Sequence, residues 1–429
     1  MIISRGFEET GAVKEGIIKR DTPSTMSDMS MLIYSGPHFY LGSPIYKKPR
    51  TKCVLNSDYD IITLTNIKED YIPTTNFIPN QPLPEFTSIL RGFPLGQNKD
   101  GKEYYSKWID YYKVAMRRMT GGCGGERTVT TAIFPPLSSH LHTITSVIFK
   151  NQFDLIDFTS MTSSIVLDYI VKVSKINDIL PANMQSFPLG VAPQYQSALY
   201  SRTLLLNCLT THYADLWREC WRDDYAAETW SIRDPRLKPF KGLTQAWEWS
   251  TPLRNYFERR QALVEIDVIA AMALGLSLED LEMIYNIQFP VLQQNENDTW
   301  YDRQGNIVFT CSKGLTGVGV DRKTWEAIRG EALDNLNNPT NNNPNNPITS
   351  ITLYKGASSS FIHTIDPAKS ELYGGQEVTY LAPYTRCNRI ADYRRAWAHF
   401  EKVFENRPPT ANEIEHTDNK VDNGMQTLK

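Results

Sequence analysis

Proline placement, more than any other feature, limits what this chain can fold into. Residues 1 to 100 are rich in proline, and Gly36-Pro37, Lys48-Pro49 and Leu83-Pro84 each push the preceding residue out of the helical region. Helical periodicity is weak there, so Met31–Tyr34 and Tyr59–Thr65 read as short strands of an irregular β-containing unit. From residue 101 the pattern changes to apolar residues at helical spacing. Tyr104, Trp108, Tyr111, Ala115 and Met119 predict a helix over Lys102–Met119, stopped by the glycine run at 121–125. Val129–Phe134 alternates like a strand. Further helices are expected over Ser163–Val173, Arg202–Trp221 and Pro252–Leu274. Gly275 closes the last of these, and a Ser277/Asp280 capping box opens a short helix to Tyr285. A hairpin is expected around Asp302–Asn306, and a final helix over Ile390–Val403.

These elements imply an α+β fold in several units, in keeping with a chain of 429 residues. The expected divisions are an irregular β-containing unit (1–100), a mixed α/β and helical region (101–275), and a short helix with a β-hairpin (276–334). An Asn/Pro-rich linker (335–348), a strand–helix segment (349–405) and a polar tail (406–429) follow.

Composition narrows the function classes. Hydrophobic residues make up 41% of the chain, enough for a buried core, and the formal charge of −3 rules out a bulk basic coat. The average hides a split: residues 101–260 carry 19 Lys+Arg against 15 Asp+Glu, leaving 26 against 33 elsewhere. A polyanion is therefore expected to meet the middle of the chain. Six cysteines lie far apart without a C-x-x-C pair, which fits neither a disulfide scaffold nor a zinc ribbon. With no signal-peptide pattern and no membrane span in the sequence, a reduced cytoplasm is the expected location.

The motifs that carry chemistry are sparse. The glycine run at 121–125 follows a helix-like stretch and lacks the Lys-Ser/Thr of a phosphate loop, and Gly314–Gly319 has the wrong spacing for a nucleotide fingerprint. His140 and His142 flank Leu141 without a third metal ligand nearby. Asp321-Arg-Lys323 has the tail of a metal-dependent nuclease core but not its upstream partner. Trp217, Trp221, Trp230, Trp247 and Trp249 are interleaved with cations, an arrangement that suits stacked bases as well as a packed core. Arg233–Lys241, with two prolines and the cations Arg233, Arg236, Lys238 and Lys241, is the better phosphate-contact candidate.

Several segments, taken in order, resemble one family. They are Ser35–Tyr40 (SGPHFY), Asp58–Asp60 (DYD), Glu126–Thr128 (ERT) leading to Ile133–Pro136 (IFPP), and Arg259–Glu265 (RRQALVE). Gln288–Gln294 (QFPVLQQ), Thr299–Asp302 (TWYD), Ser312–Gly319 (SKGLTGVG) and Asp392–Phe400 (DYRRAWAHF) complete the set. Together they resemble the C-terminal, target-recognition half of large adenine-specific DNA methyltransferases of bacterial phage-defence systems. The nearest likeness is to the DISARM-type methylases, related to type IIG restriction–modification and BREX enzymes. Such enzymes bind S-adenosylmethionine on an upstream Rossmann-like domain and hold the flipped adenine with an Asn-Pro-Pro-Tyr/Phe motif. This chain contains neither Asn-Pro-Pro nor Phe-x-Gly-x-Gly, and Cys387-Asn-Arg-Ile390 stands where the family has an Asp-Arg-Glu run.

The resemblance implies DNA target recognition with the catalytic half elsewhere. No cofactor is expected in this chain, S-adenosylmethionine being left to a catalytic methyltransferase subunit. The expected partners are double-stranded DNA and that subunit or other defence-system proteins, with no membrane. Arg127 and Thr128, after the glycine run, would hold phosphate or read guanine, unless Glu126 and Arg127 pair internally. Arg117, Arg118 and Lys313 are further contact candidates, beside Arg233, Arg236, Lys238 and Lys241. Competing readings are a scaffold that docks other defence proteins through its long helices, and a metal-dependent nuclease using His140 and Asp321.

Overall fold

The largest sheet takes its edge from the very start of the chain. β1 (Ile2–Ser4), β2 (Lys113–Arg117), β3 (Thr131–Phe134) and β4 (Ile144–Ile148) lie in the order β1-β4-β2-β3, each neighbouring pair antiparallel. The computed structural model describes residues 1–4, 6–55, 57–91, 108–120, 125–329 and 360–405. The linker expected at 335–348, the polar tail beyond 406 and most of the glycine run at 121–125 lie outside the described residues.

Register places Ile3 opposite Val147, Val147 opposite Val114, and Val114 opposite Ile133, so branched side chains cross the sheet as one row. Alternation then decides the two faces. Val114, Met116, Ile133 and Val147 join the main core beneath the helices. Ala115, Ala132, Phe134 and Ile144 point the other way, onto Leu32, Tyr34 and Phe39 of the proline-rich segment. The sheet is thus covered on both sides, and its three longer strands are buried nearly throughout.

This overturns the helix expected over Lys102–Met119. A 3-10 turn at Trp108–Asp110 leads into strand β2 instead. The Trp108–Tyr111–Ala115–Met119 stripe is genuine but incidental. The period-two alternation of Tyr112, Val114 and Met116 against Lys113 and Ala115 fits a strand with two covered faces, and that packing prevails.

Helix α1 (Gln152–Ser163) is not among the expected elements; it meets the expected helix, α2 (Ile165–Val173), at Ser164, whose extended backbone and side-chain cap separate the two. α3 (Pro193–Asn207) begins earlier than expected, with proline in its first turn. The expected run to Trp221 breaks after Asn207. There the carbonyls of Cys208 and Leu209 accept from Trp247 Nε1 and Arg254 Nη2 rather than from helical amides. A short helix, Ala214–Glu219, resumes beyond the break.

α4 (Tyr256–Ala273) is the central helix, packed by α1, α3 and α6 (Arg389–Glu405) and buried along most of its length. An Asn255/Glu258 capping box fixes its start. Gly275, at φ +74°, ends it: its own amide and that of Leu276 donate to Met272 and Ala271. α5 (Leu278–Gln288) then opens on the expected Ser277/Asp280 box.

The expected hairpin is present as β5 (Trp300–Tyr301) and β6 (Ile307–Phe309), and β7 (Thr385–Arg386) adds a third strand on the β5 side. Gly319 packs so closely under β6 that a Cβ would lie 2.3 Å from the Val308 carbonyl oxygen. That glycine run is therefore a packing turn. Among the described residues the fold is mixed α+β, with twelve α-helices, several small sheets and no barrel. No described helix is long and apolar enough to cross a membrane.

Candidate nucleic-acid interface and an arginine-lined cavity

The cations singled out from sequence divide by burial. Arg127 is only 4% exposed; its Nε donates to Asp168 at 2.5 Å and its Nη2 to the Ser163 carbonyl at 3.0 Å. Asp168 also accepts the Thr128 and Val129 amides, so Thr128 is enclosed with it. The internal partner of Arg127 is Asp168, whereas the Glu126 carboxylate accepts from the Ser312 hydroxyl at 2.9 Å. Arg117 sits between the rings of Phe39 and Tyr40 and donates to the Phe39 carbonyl. Arg236 forks onto Asp234, bonds Thr385 and stacks 3.6 Å from the Phe257 ring centroid. Lys238 donates to the carbonyls of Ser250, Thr251 and Pro252, and burial lowers its pKa to about 8. These groups are interior, because a desolvated cation needs fixed acceptors and each has found at least one, although Arg117 Nε stays unbonded.

Arg118 is half-buried and pairs with Asp178 at 3.4 Å. Arg233, Lys241 and Lys313 are exposed. Two of these three share a surface groove of about 760 Å³, formed by the Glu228–Lys241 segment and closed by His399 of α6. Its acids are already answered from within. Glu228 pairs with the buried Arg202 at 3.3 Å, and Asp234 with Arg236 at 2.7 Å. Neither Arg233 nor Lys241 has an ion-pair partner among the described residues. Trp230 lines the same groove with its indole N–H bonded to the Lys238 carbonyl and its ring packed on Phe240 and the Arg202 guanidinium. The arrangement offers two unneutralised cations at the surface, groups suited to phosphate.

Of the other tryptophans, Trp217 is fully buried, Trp247 is half-buried and Trp249 is exposed, the last two donating to the carbonyls of Cys208 and Ile67. His140 is a core residue, its ring nitrogens 2.9 Å from the Leu141 carbonyl and 2.7 Å from Ser146 Oγ, and burial holds its pKa down at about 3. Asp321 caps the helix Arg322–Arg329 by accepting the Thr324 amide. No group of three His, Cys, Asp or Glu among the described residues is placed to hold a metal ion.

Sequence reasoning missed a second concavity. A partly enclosed cavity of about 180 Å³ lies between the proline-rich segment, α4 and the β5–β6 hairpin. Arg260 and Arg389 converge beside it on Glu296, at 3.0 and 2.7 Å. Arg260 also reaches Asp392 at 2.5 Å, and Arg389 reaches Asp267 at 2.7 Å. Burial alone would raise the Glu296 carboxyl, but the two guanidinium groups outweigh it and hold its pKa at about 2. Burial raises the Glu126 carboxyl, which also lines the cavity, above its ordinary value. The signal available in sequence was the Arg259-Arg260 pair, yet nothing local tells that its partners are Glu296 and Asp392. Arg389, in the turn that departs from the methylase pattern, is the hub of this network. Compared with known proteins, the chain matches no family model, no curated protein and no solved structure.

Proposed function

We propose that this chain is the DNA target-recognition part of an adenine-specific, S-adenosylmethionine-dependent DNA methyltransferase in a restriction–modification or phage-defence system. On this reading a catalytic subunit supplies the cofactor and the reacting groups, and the pair acts in the cytoplasm. Methyl transfer demands cofactor and base held together, whereas recognition demands only phosphate clamps and base-edge donors. The observation that carries the reading is the Arg233–Lys241 groove, whose acids are tied to buried arginines so that its two exposed cations stay available to phosphate. The ordered likeness of segments from Ser35 to Phe400 supports it independently. Residues 101–275 then serve as the recognition region, with the proline-rich segment and the hairpin unit as its supports.

The test is duplex binding by the purified chain across a salt series, followed by methyl transfer with and without an Asn-Pro-Pro-Tyr-bearing subunit. Duplex affinity should fall steeply as salt rises, and methyl transfer should require the partner. Methyl transfer by the chain alone would refute the division of labour. Co-purification with defence proteins without any duplex affinity would favour a scaffold instead.

A further inference from the structure

Buried guanidinium nitrogens are ordinarily all bonded, because each carries a donor that water can no longer satisfy. Arg260 breaks that rule at the cavity. Its Nε and Nη1 are bonded to Glu296 and Asp392, but Nη2 is buried without a partner. Arg254 and Arg259 line the same cavity and are incomplete in another way. Arg254 donates to the carbonyls of Leu64, Leu209 and Trp249, and Arg259 to those of Gly42, Leu206 and Leu253. Neither forms an ion pair with a carboxylate among the described residues. Carbonyl dipoles offset only part of a full charge. Burial accordingly lowers both guanidinium pKa values to about 10, against the opposing influence of Glu258.

The remaining polar groups of the cavity include two carboxylates that are already bonded, Glu296 to Arg260 and Arg389, and Glu126 to the Ser312 hydroxyl. The Tyr256 and Tyr301 hydroxyls line it and bond to no described residue, while the Tyr46 hydroxyl is taken up by the Gly314 carbonyl. The rest of the wall is aliphatic, with Ile62, Leu263, Leu292 and Ile307 prominent. A spare buried donor, two arginines without a carboxylate in ion-pair contact and an apolar wall together specify a ligand that is anionic at one end and apolar at the other. Its size is bounded too: about 180 Å³ slightly exceeds the roughly 150 Å³ apolar cavity that admits benzene.

We infer that this cavity binds a small organic monocarboxylate with a compact apolar body of about one ring. The carboxylate accepts from Arg260 Nη2 within the field of Arg254 and Arg259, and the apolar body lies against Leu263, Leu292 and Ile307. Bare phosphate would leave the aliphatic wall uncovered, and a neutral isostere would leave the charge unanswered. This inference stands apart from the nucleic-acid reading, since the cavity and the Arg233–Lys241 groove share no lining residue.

The probe is phenylacetate, titrated calorimetrically into the full chain beside phenylacetamide and inorganic phosphate. Phenylacetate should bind at least about tenfold more tightly than either control, a difference of about 1.4 kcal/mol. Leu263→Phe fills the cavity while keeping every charged residue of its wall and should abolish binding. Tyr256→Phe should weaken it about fivefold by removing one donor. Arg260→Met should erase the preference for acid over amide. Because that change also strips Asp392 and Glu296 of a partner, Leu263→Phe is the deciding variant if Arg260→Met does not fold. Equal binding of acid and amide, equal binding of phosphate, indifference to Leu263→Phe, or no binding by phenylacetate would each overturn the inference.

Discussion

Arg260 and Arg233 belong to the same basic stretch of sequence and end in opposite surroundings. Arg260 is held inside between Glu296 and Asp392, and Arg233 lies on the surface with no partner among the described residues. A charge count treats them alike. Their energetic roles differ because a buried charge is governed by what its removal leaves behind, and an exposed one by what it meets from outside. The mildly basic middle of the chain is largely an internal network, in which Arg127, Arg202, Arg236 and Arg260 neutralise the acids packed against them. The groove is basic because that network has silenced its acids.

The sharpest way to break this contrast is at the hub. Arg389→Ala leaves Glu296 and Asp267 with fewer partners in a closed site, and should cost about 3–5 kcal/mol in urea unfolding. A loss like that of an ordinary surface substitution would mean that the network is ornamental. Acid titration probes the same hub without mutation. The Glu296 pKa is lowered from 4.5 to about 2 in the folded chain, so the unfolded chain takes up this proton first as pH falls. The stability it contributes is complete above pH 4.5 and is lost as pH falls from there through about 2. Unfolding followed over that window should show the loss, and Arg389→Ala should flatten it.

Arg127→Met is expected to cost less, about 2 kcal/mol, because two backbone amides still hold Asp168. Unchanged stability together with weakened duplex binding would move Arg127 from the interior to the interface and undo the contrast. At the small end, Arg233→Ala with Lys241→Ala should shift stability by no more than about 0.5 kcal/mol. The same pair should lower the salt slope of duplex binding by about 2, since each cation removed frees one phosphate to keep its counterion. An unaltered salt slope would remove the groove from the DNA reading.

Much of the architecture was legible wherever its signal was local. The Ser277/Asp280 box, Gly275 and the hairpin about Asp302–Asn306 are written in adjacent residues, and each appears where those residues place it. Strand β2 was not legible, because its residues satisfy a helical stripe as well as an alternation, and only the covered second face of the sheet decides between them. The break after Asn207 depends on side chains from Trp247 and Arg254, distant in sequence. The cavity is the extreme case, its walls running from Tyr40 to Arg389. Most of the segments that resemble the methylase family nevertheless contribute to that wall, among them Tyr40, Arg127, Arg260, Tyr301 and Ser312. The sequence held the parts of the site, and only tertiary packing could show that they meet.

The distance between Asp267 and its cation has a consequence during synthesis. Arg389 follows Asp267 by 122 residues, and Glu296 by 93. At roughly 5–20 residues per second, Asp267 leaves the ribosome roughly 6–24 s before the arginine that answers it. Over that interval α4 is complete in sequence, but its acid has only the Ile165 amide and the nearby Arg127 to answer it. The nascent chain is therefore expected to close the sheet of β1 to β4 first and to complete the surroundings of the central helix only when the last one arrives.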